Sequence, residues 1–134
     1  MNVERHLSRD ECLELLRDNH VGRLAVVVGG RAEIFPINYV LDGDAVVFRT
    51  NSGTKLFGTT QGEAAFEVDM THTPTGSGWS VIVHGVAQEV TDLDRQDLRE
   101  RLQSLPLGVW AGGDRPHLVR IEPREITGRR VGPA

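Results

Sequence analysis

Residues 21–50 read VGRLAVVVGGRAEIFPINYVLDGDAVVFRT, and this stretch decides the fold. Three short β-branched runs, Arg23 to Val28, Ala32 to Leu41 and Ala45 to Thr50, are separated by Gly29-Gly30 and by Asp42-Gly43-Asp44. Such dipeptides supply the backbone freedom that tight hairpins need, so three consecutive antiparallel strands are expected. Pro36 lies inside the second run and removes a ladder donor. That strand should therefore be bulged or sit at an edge, with irregular backbone around Ile37, Asn38 and Tyr39 where a ligand can approach.

Upstream, Ser8 is followed three places later by Glu11, the spacing of a capping box, with Leu7 and Cys12 at the staple positions. A helix is expected within Leu7 to Asn19. Cys12, Leu15 and Leu16 form its inward stripe with Leu13 beside them, and Arg9, Glu14 and Arg17 face water. Downstream, Glu63 to Met70 and Trp79 to Val90 read as strands, Thr91 to Leu105 returns to helical spacing, and His117 to Glu122 and Glu125 to Val131 close the chain as two further strands. Six or seven strands with two helices suggest one small β-barrel with helical additions. The stretches Thr73 to Gly78 and Gly108 to Asp114 read as loops.

Length and composition narrow the function classes. At 134 residues, with 39% hydrophobic and 25% charged residues, the chain is a single globular domain, residues 1–134, without repeats or linkers. No apolar run is long enough for a spanning helix and the first ten residues are polar, so a cytoplasmic protein without membrane attachment is expected. A net charge of −4 argues against a nucleic-acid backbone binder. The lone Cys12 can make neither an internal disulfide nor a cysteine metal site and reads as core. His6, His20, His72, His84 and His117 show no paired spacing, so no metal is expected, and no GxSxG elbow or other nucleophile motif is present.

The basic residues are fourteen arginines and one lysine, Lys55. That lysine stands in Arg49-Thr50-Asn51-Ser52-Gly53-Thr54-Lys55, a strand exit through small polar residues into an expected short helix. Gly53 allows close approach of backbone N–H groups, Ser52 and Thr54 offer hydroxyls, and Arg49 and Lys55 add charge, the ingredients of a phosphate cradle. The alternative is a plain turn with Ser52 or Thr54 as a helix cap. Neither a P-loop nor a GxGxxG fingerprint is present.

The ordered blocks VGRLAVVVGGRAEIFPINYVLDGDAVVFRTNSGTKL, AAFEVD, GWSVIVHGVA and HLVRIEPREITGRR resemble the pyridoxamine 5′-phosphate oxidase-like family, over nearly the whole chain. The resemblance implies a mainly β, six-stranded split barrel of Greek-key type. It also implies a homodimer with FMN, or in some relatives a deazaflavin coenzyme, in two clefts between subunits. By that resemblance Arg49, Thr50, Thr54 and Lys55, with Gly53 in the cradle, hold the phosphate. Pro36, Ile37, Asn38 and Tyr39 lie along the ring and ribityl chain, and Glu67 to Asp69 approach the same cleft. Trp79, Ser80 and Val81 lie near a flavin, that of the partner subunit included, or Trp79 is a core anchor. Trp110 covers the ring or plugs its own loop.

One departure bears on the reaction. Oxidases acting on pyridoxamine phosphate itself are longer and carry a C-terminal Arg-x-His element, which Arg115-Pro116-His117 imitates only superficially. The implied activity is oxidation or reduction of a small organic substrate, with the chemistry on the flavin and no essential protein nucleophile. A flavin-binding module without turnover is the second reading. A haem-handling split barrel using His72 is the third.

Overall fold

The computed structural model describes residues 1–50, 63–90 and 117–133. Within it β2 (Val21–Val28) and β3 (Arg31–Asn38) form the expected hairpin, turned by Gly29 at φ 58° and Gly30 at φ 77°. Two consecutive positive φ values match the right-handed strand twist and favour glycine at both places. The pairing runs without slip from Val21↔Asn38 to Val28↔Arg31, so Pro36 causes no bulge. The edge alternative holds instead: β3 ends the sheet, where a missing N–H is tolerated.

The expected strand from Ala32 to Leu41 is two strands, because the chain breaks at Tyr39. The Tyr39 N–H leaves the ladder and donates to the His20 carbonyl at 2.9 Å. Beyond it β4 (Val40–Asp42) and β5 (Ala45–Thr50) pair around Gly43, whose φ is 63°.

β6 (Glu63–His72) and β7 (Ser77–Glu89) form a long hairpin through a tight turn at Thr73 to Gly76, and β8 (His117–Pro133) follows as one strand of 17 residues where two were expected. Continuity across Pro123 comes from an irregularity facing His84 and Gly85, whose partners are Glu125 and Pro123, which leaves Arg124 as the extra residue. Gly85 permits this close passage, since a Cβ there would run into the Glu122 carbonyl. A further strand, β1 (Asn2–His6), was not anticipated. All five of its residues are exposed, so it has no apolar alternation to read, and it exists through its pairing with β8.

The sheet order is β3-β2-β6-β7-β8-β5-β4, with β1 also on β8, and every pairing is antiparallel. The architecture is the mainly β, strongly curled split barrel that the resemblance implied. Directly opposed residues share a face, so register sorts the side chains. The row Leu24, Phe66, Val83 and Ile126 points into the barrel with Val26, Phe48, Val68, Val81 and Ile121, and these pack as one cluster.

Helix α1 (Arg9–Arg17) lies against β4, β7 and β8 and contributes Cys12, Leu13 and Leu16 to that cluster. Its N-terminus is the expected capping box: the Ser8 hydroxyl accepts the Glu11 N–H at 3.2 Å and the Glu11 carboxylate accepts the Ser8 N–H at 2.9 Å. Hydrogen bonding from Arg5, and next from the Ser8 N–H, holds the Glu11 pKa down at about 2. Burial raises the pKa of the Cys12 thiol, as suits a packing residue. The helix expected at Thr91 to Leu105 lies outside the described residues.

Candidate functional site

The candidate site begins where β5 ends. Arg49 pairs with Leu118 and Thr50 with His117, so the two strands bring the expected cradle's first residues beside the start of β8. Thr50 faces inward and is 8% exposed, the one buried polar side chain among the described residues. Arg49 projects to the opposite, outward face. The remaining cradle residues, Gly53, Thr54 and Lys55, lie outside the described residues, as does Trp110.

The end of β3 joins this place. The β4–β5 ladder stops at Val40↔Val47, and in its numbering Asn38 and Ile37 would follow opposite Arg49 and Thr50. β3 does lie against β5. Opposition to Gly22 puts Ile37 on the inward face, packed on the core, while Pro36 and Asn38 face outward with Arg23 and Val21. Continued in that register, Pro36, Ile37 and Asn38 would come beside Arg49 and Thr50 at one mouth of the barrel, divided between its two faces.

Two expected site residues have their side chains in the interior. The Tyr39 side chain is buried beneath α1, where its hydroxyl donates to the Leu16 carbonyl at 2.6 Å and its ring meets Phe66 edge-on at 4.8 Å. Burial raises its phenol pKa, and its N–H donates to the His20 carbonyl. Val81 is likewise wholly buried, because β7 alternation turns it inward.

Trp79 is partly buried on the same core cluster, which fits the anchor reading. Ser80 faces outward between Asp69 and Arg129. Within one chain, Ser80 and Arg49 are as far apart as their partners Arg129 and Leu118 are along β8. With the β2–β6 register continued by two residues, Ser80 falls in one row with Asp69, Val21 and Asn38, three strand spacings or roughly 14 Å from the last.

On that outward face Arg23 sits between two carboxylates, with Nη1 3.1 Å from Glu67 and 3.0 Å from Asp69. One cation serves two acids. Burial first and the neighbouring Asp69 second raise the Glu67 pKa, with Arg23 opposing them.

The mouth also holds a pair that sequence reasoning missed. The His117 Nδ1 contacts the Glu89 carboxylate, both side chains being half-buried. In the sequence His117 opens a strand and is one of five histidines without paired spacing. Glu89 is 28 residues away, and nothing short of the β7–β8 register relates the two. His72, the residue of the haem reading, bonds through Nδ1 to the Thr75 hydroxyl at 2.9 Å, and no group of three metal-ligating side chains occurs among the described residues. No described helix is long and apolar enough to cross a membrane, which says nothing of crossing by strands.

The sequence profile described as pyridoxamine 5′-phosphate oxidase matches residues 8–130, from the N-cap of α1 to near the end of β8. The chain belongs to that family. A Corynebacterium glutamicum structure, described as a candidate pyridoxamine 5′-phosphate oxidase, superposes with a TM-score of 0.82 at 34% identity, covering 95% of this chain and 92% of that one. A Mycobacterium smegmatis structure, described as an FAD-binding protein, is 40% identical with a TM-score of 0.74 over 94% of this chain and 98% of that one. An uncharacterised Mycobacterium tuberculosis protein is 30% identical over 131 residues, 93% of this chain and 84% of its own length.

Proposed function

We propose that this member of the pyridoxamine 5′-phosphate oxidase family is a cytoplasmic, flavin-dependent oxidoreductase that binds FMN and acts on a small organic substrate. The observation that carries the reading is the approach of β3 to β5, the strand whose end bears Arg49 and Thr50. The donor set fits the cofactor's chemistry. Arg49 offers a charged, forked donor for phosphate, Thr50 begins the polar run toward Gly53, Thr54 and Lys55, and Pro36 and Asn38 present an outward-facing strand end beside them.

A bound flavin supplies hydride chemistry, so the chain's task is to grip the phosphate, orient the ring and keep water from it. Tyr39 and Val81 act by packing beneath the site. Ser80, distant from Arg49 within one chain, is assigned to the flavin held mainly by a second copy, and Trp79 to anchoring the strand on the core beside it.

That assignment requires a homodimer, and the outward face of β2 and β3 supports one. Ile34 is 67% exposed and Val27 51%, with Val21 exposed beside them and Ala25 opposite Ile34. An apolar surface shared by neighbouring strands is suited to burial against another copy.

The FAD-binding relative supports flavin as the ligand class, and a deazaflavin coenzyme is the remaining alternative. Titrating apo-protein with FMN, FAD and a deazaflavin, followed by fluorescence, separates them; FMN is expected to bind most tightly. Arg49→Ala should weaken FMN about 10- to 100-fold, the value of a charged hydrogen bond. Unchanged affinity in both Arg49→Ala and Lys55→Ala would overturn the reading.

A further inference from the structure

We propose that His117 and Glu89 form the proton-transfer couple of this mouth, with His117 exchanging the proton and Glu89 acting as the positioning residue. The inference rests on the flavin reading above and extends it to residues for which phosphate and ring binding have no use.

The geometry comes from three strands. Thr50 on β5 faces His117 on β8, Glu89 on β7 faces Val119 two residues further along, and the Val90 N–H donates to the Leu118 carbonyl at 2.8 Å. Thr50, His117 and Glu89 thus share the inward face at the end of β5. The interior below them is apolar, with Val119, Phe48 and Val83 wholly buried.

A histidine and an acid in contact at such a place have defined roles. A carboxylate only accepts hydrogen bonds, so the proton of this contact sits on Nδ1 and Nε2 is left to exchange protons. With side-chain exposures of 33% for His117 and 28% for Glu89, the pair is held by the strands yet reached from outside.

The chemistry calls for such a group. Reducing a carbonyl or quinone oxygen acceptor takes a hydride, which carries both electrons, and separately a proton. A bound reduced flavin would supply the hydride. As the acceptor's new O–H bond forms, the Nε2–H bond of the imidazolium breaks and its electron pair stays on nitrogen. The neutral tautomer that remains keeps Nδ1–H on Glu89, and water returns the proton. Oxidation of an alcohol or amine runs the same transfer backwards.

The test compares acceptors. Flavin-loaded protein is photoreduced and then reoxidised by menadione, which takes up hydride and proton, or by ferricyanide, which takes electrons alone. His117→Gln should keep FMN affinity within about threefold and reoxidation by ferricyanide unchanged, while slowing menadione about 100-fold, the usual weight of a positioned acid. Glu89→Gln should slow menadione in the same sense by less. In the apo-protein, imidazole 15N shifts should show His117 as the Nδ1–H tautomer, and Glu89→Gln should abolish that preference. Equal slowing with both acceptors, no slowing with either, or an Nε2–H tautomer in the parent protein would overturn the inference while leaving the flavin reading intact. Absence of flavin binding in the parent protein would instead remove the reading and the inference together.

Discussion

The barrel interior and the barrel mouth are built from the same strands and obey opposite rules. Along β5 the sequence runs Ala45, Val46, Val47 and Phe48, all fully buried, and then changes within two residues to Arg49 and Thr50. β7 makes the same change from Val83 and Ala87 to Glu89, and β8 makes it in reverse from His117 to Val119 and Ile121. Four strand ends, those of β3, β5, β7 and β8, therefore deliver polar or irregular groups to one place above an apolar floor. The contrast teaches that the interior fixes where the strands end, and that the ends alone carry chemistry. Changes below should cost stability and spare ligand preference; changes above should do the reverse.

The largest expected effect is in the floor. Phe66 is wholly buried, touches Tyr39 edge-on and fills the space over Gly22, where a Cβ would collide with its ring. Phe66→Ala should destabilise the protein by about 3–5 kcal/mol in denaturant unfolding. A loss below about 1 kcal/mol would mean that the interior is not continuous beneath the mouth.

Tyr39→Phe isolates one hydrogen bond between floor and mouth. It should cost about 1 kcal/mol, since the Leu16 carbonyl keeps other donors at the helix end, and should leave flavin affinity unchanged. A large fall in affinity would return Tyr39 to the cleft.

Glu67→Gln probes the crowded outward face. Because the folded-state pKa of Glu67 is raised, its protonated form favours folding below the ordinary carboxylate range, and that contribution fades as pH rises through the folded value. The variant should therefore be slightly more stable than the parent at neutral pH, by no more than about 0.5 kcal/mol, with the advantage vanishing in acid. Thermal unfolding at both pH values checks it.

The smallest effect is local. Glu11 has a depressed pKa, so the capping box is at full strength above its ordinary value of 4.5 and fails as pH falls toward about 2. Amide exchange at Ser8 and Glu11 should accelerate over that interval while the β7–β8 amides remain protected.

The hairpins and the helix cap were legible because each is written in adjacent residues. Gly29-Gly30, Asp42-Gly43-Asp44 and Ser8 with Glu11 carry their conformations locally, and the structure keeps all three. What escaped depends on distant partners. β1 has no apolar pattern and forms only against β8. The unity of β8 depends on Gly85 opposite Pro123, and the break at Tyr39 depends on a carbonyl before β2 and a pocket under α1. The site divides in the same way. Arg49, Thr50 and Pro36 to Asn38 were readable as strand-end residues, whereas the His117–Glu89 pair, 28 residues apart in sequence, needs the register of two strands.

β8 has a consequence for how the protein is made. It pairs with β7 along one side and with β5 and β1 along the other, joining Asn2 to Pro133 and Val46 to Ile121. A chain emerging from the ribosome can form the β2–β3 and β6–β7 hairpins early, but the strand that unites them is translated after both. Until then the apolar floor has no wall on one side. Contacts so distant in sequence slow the final closure, and the nascent protein is most exposed to aggregation during the interval before β8 is released.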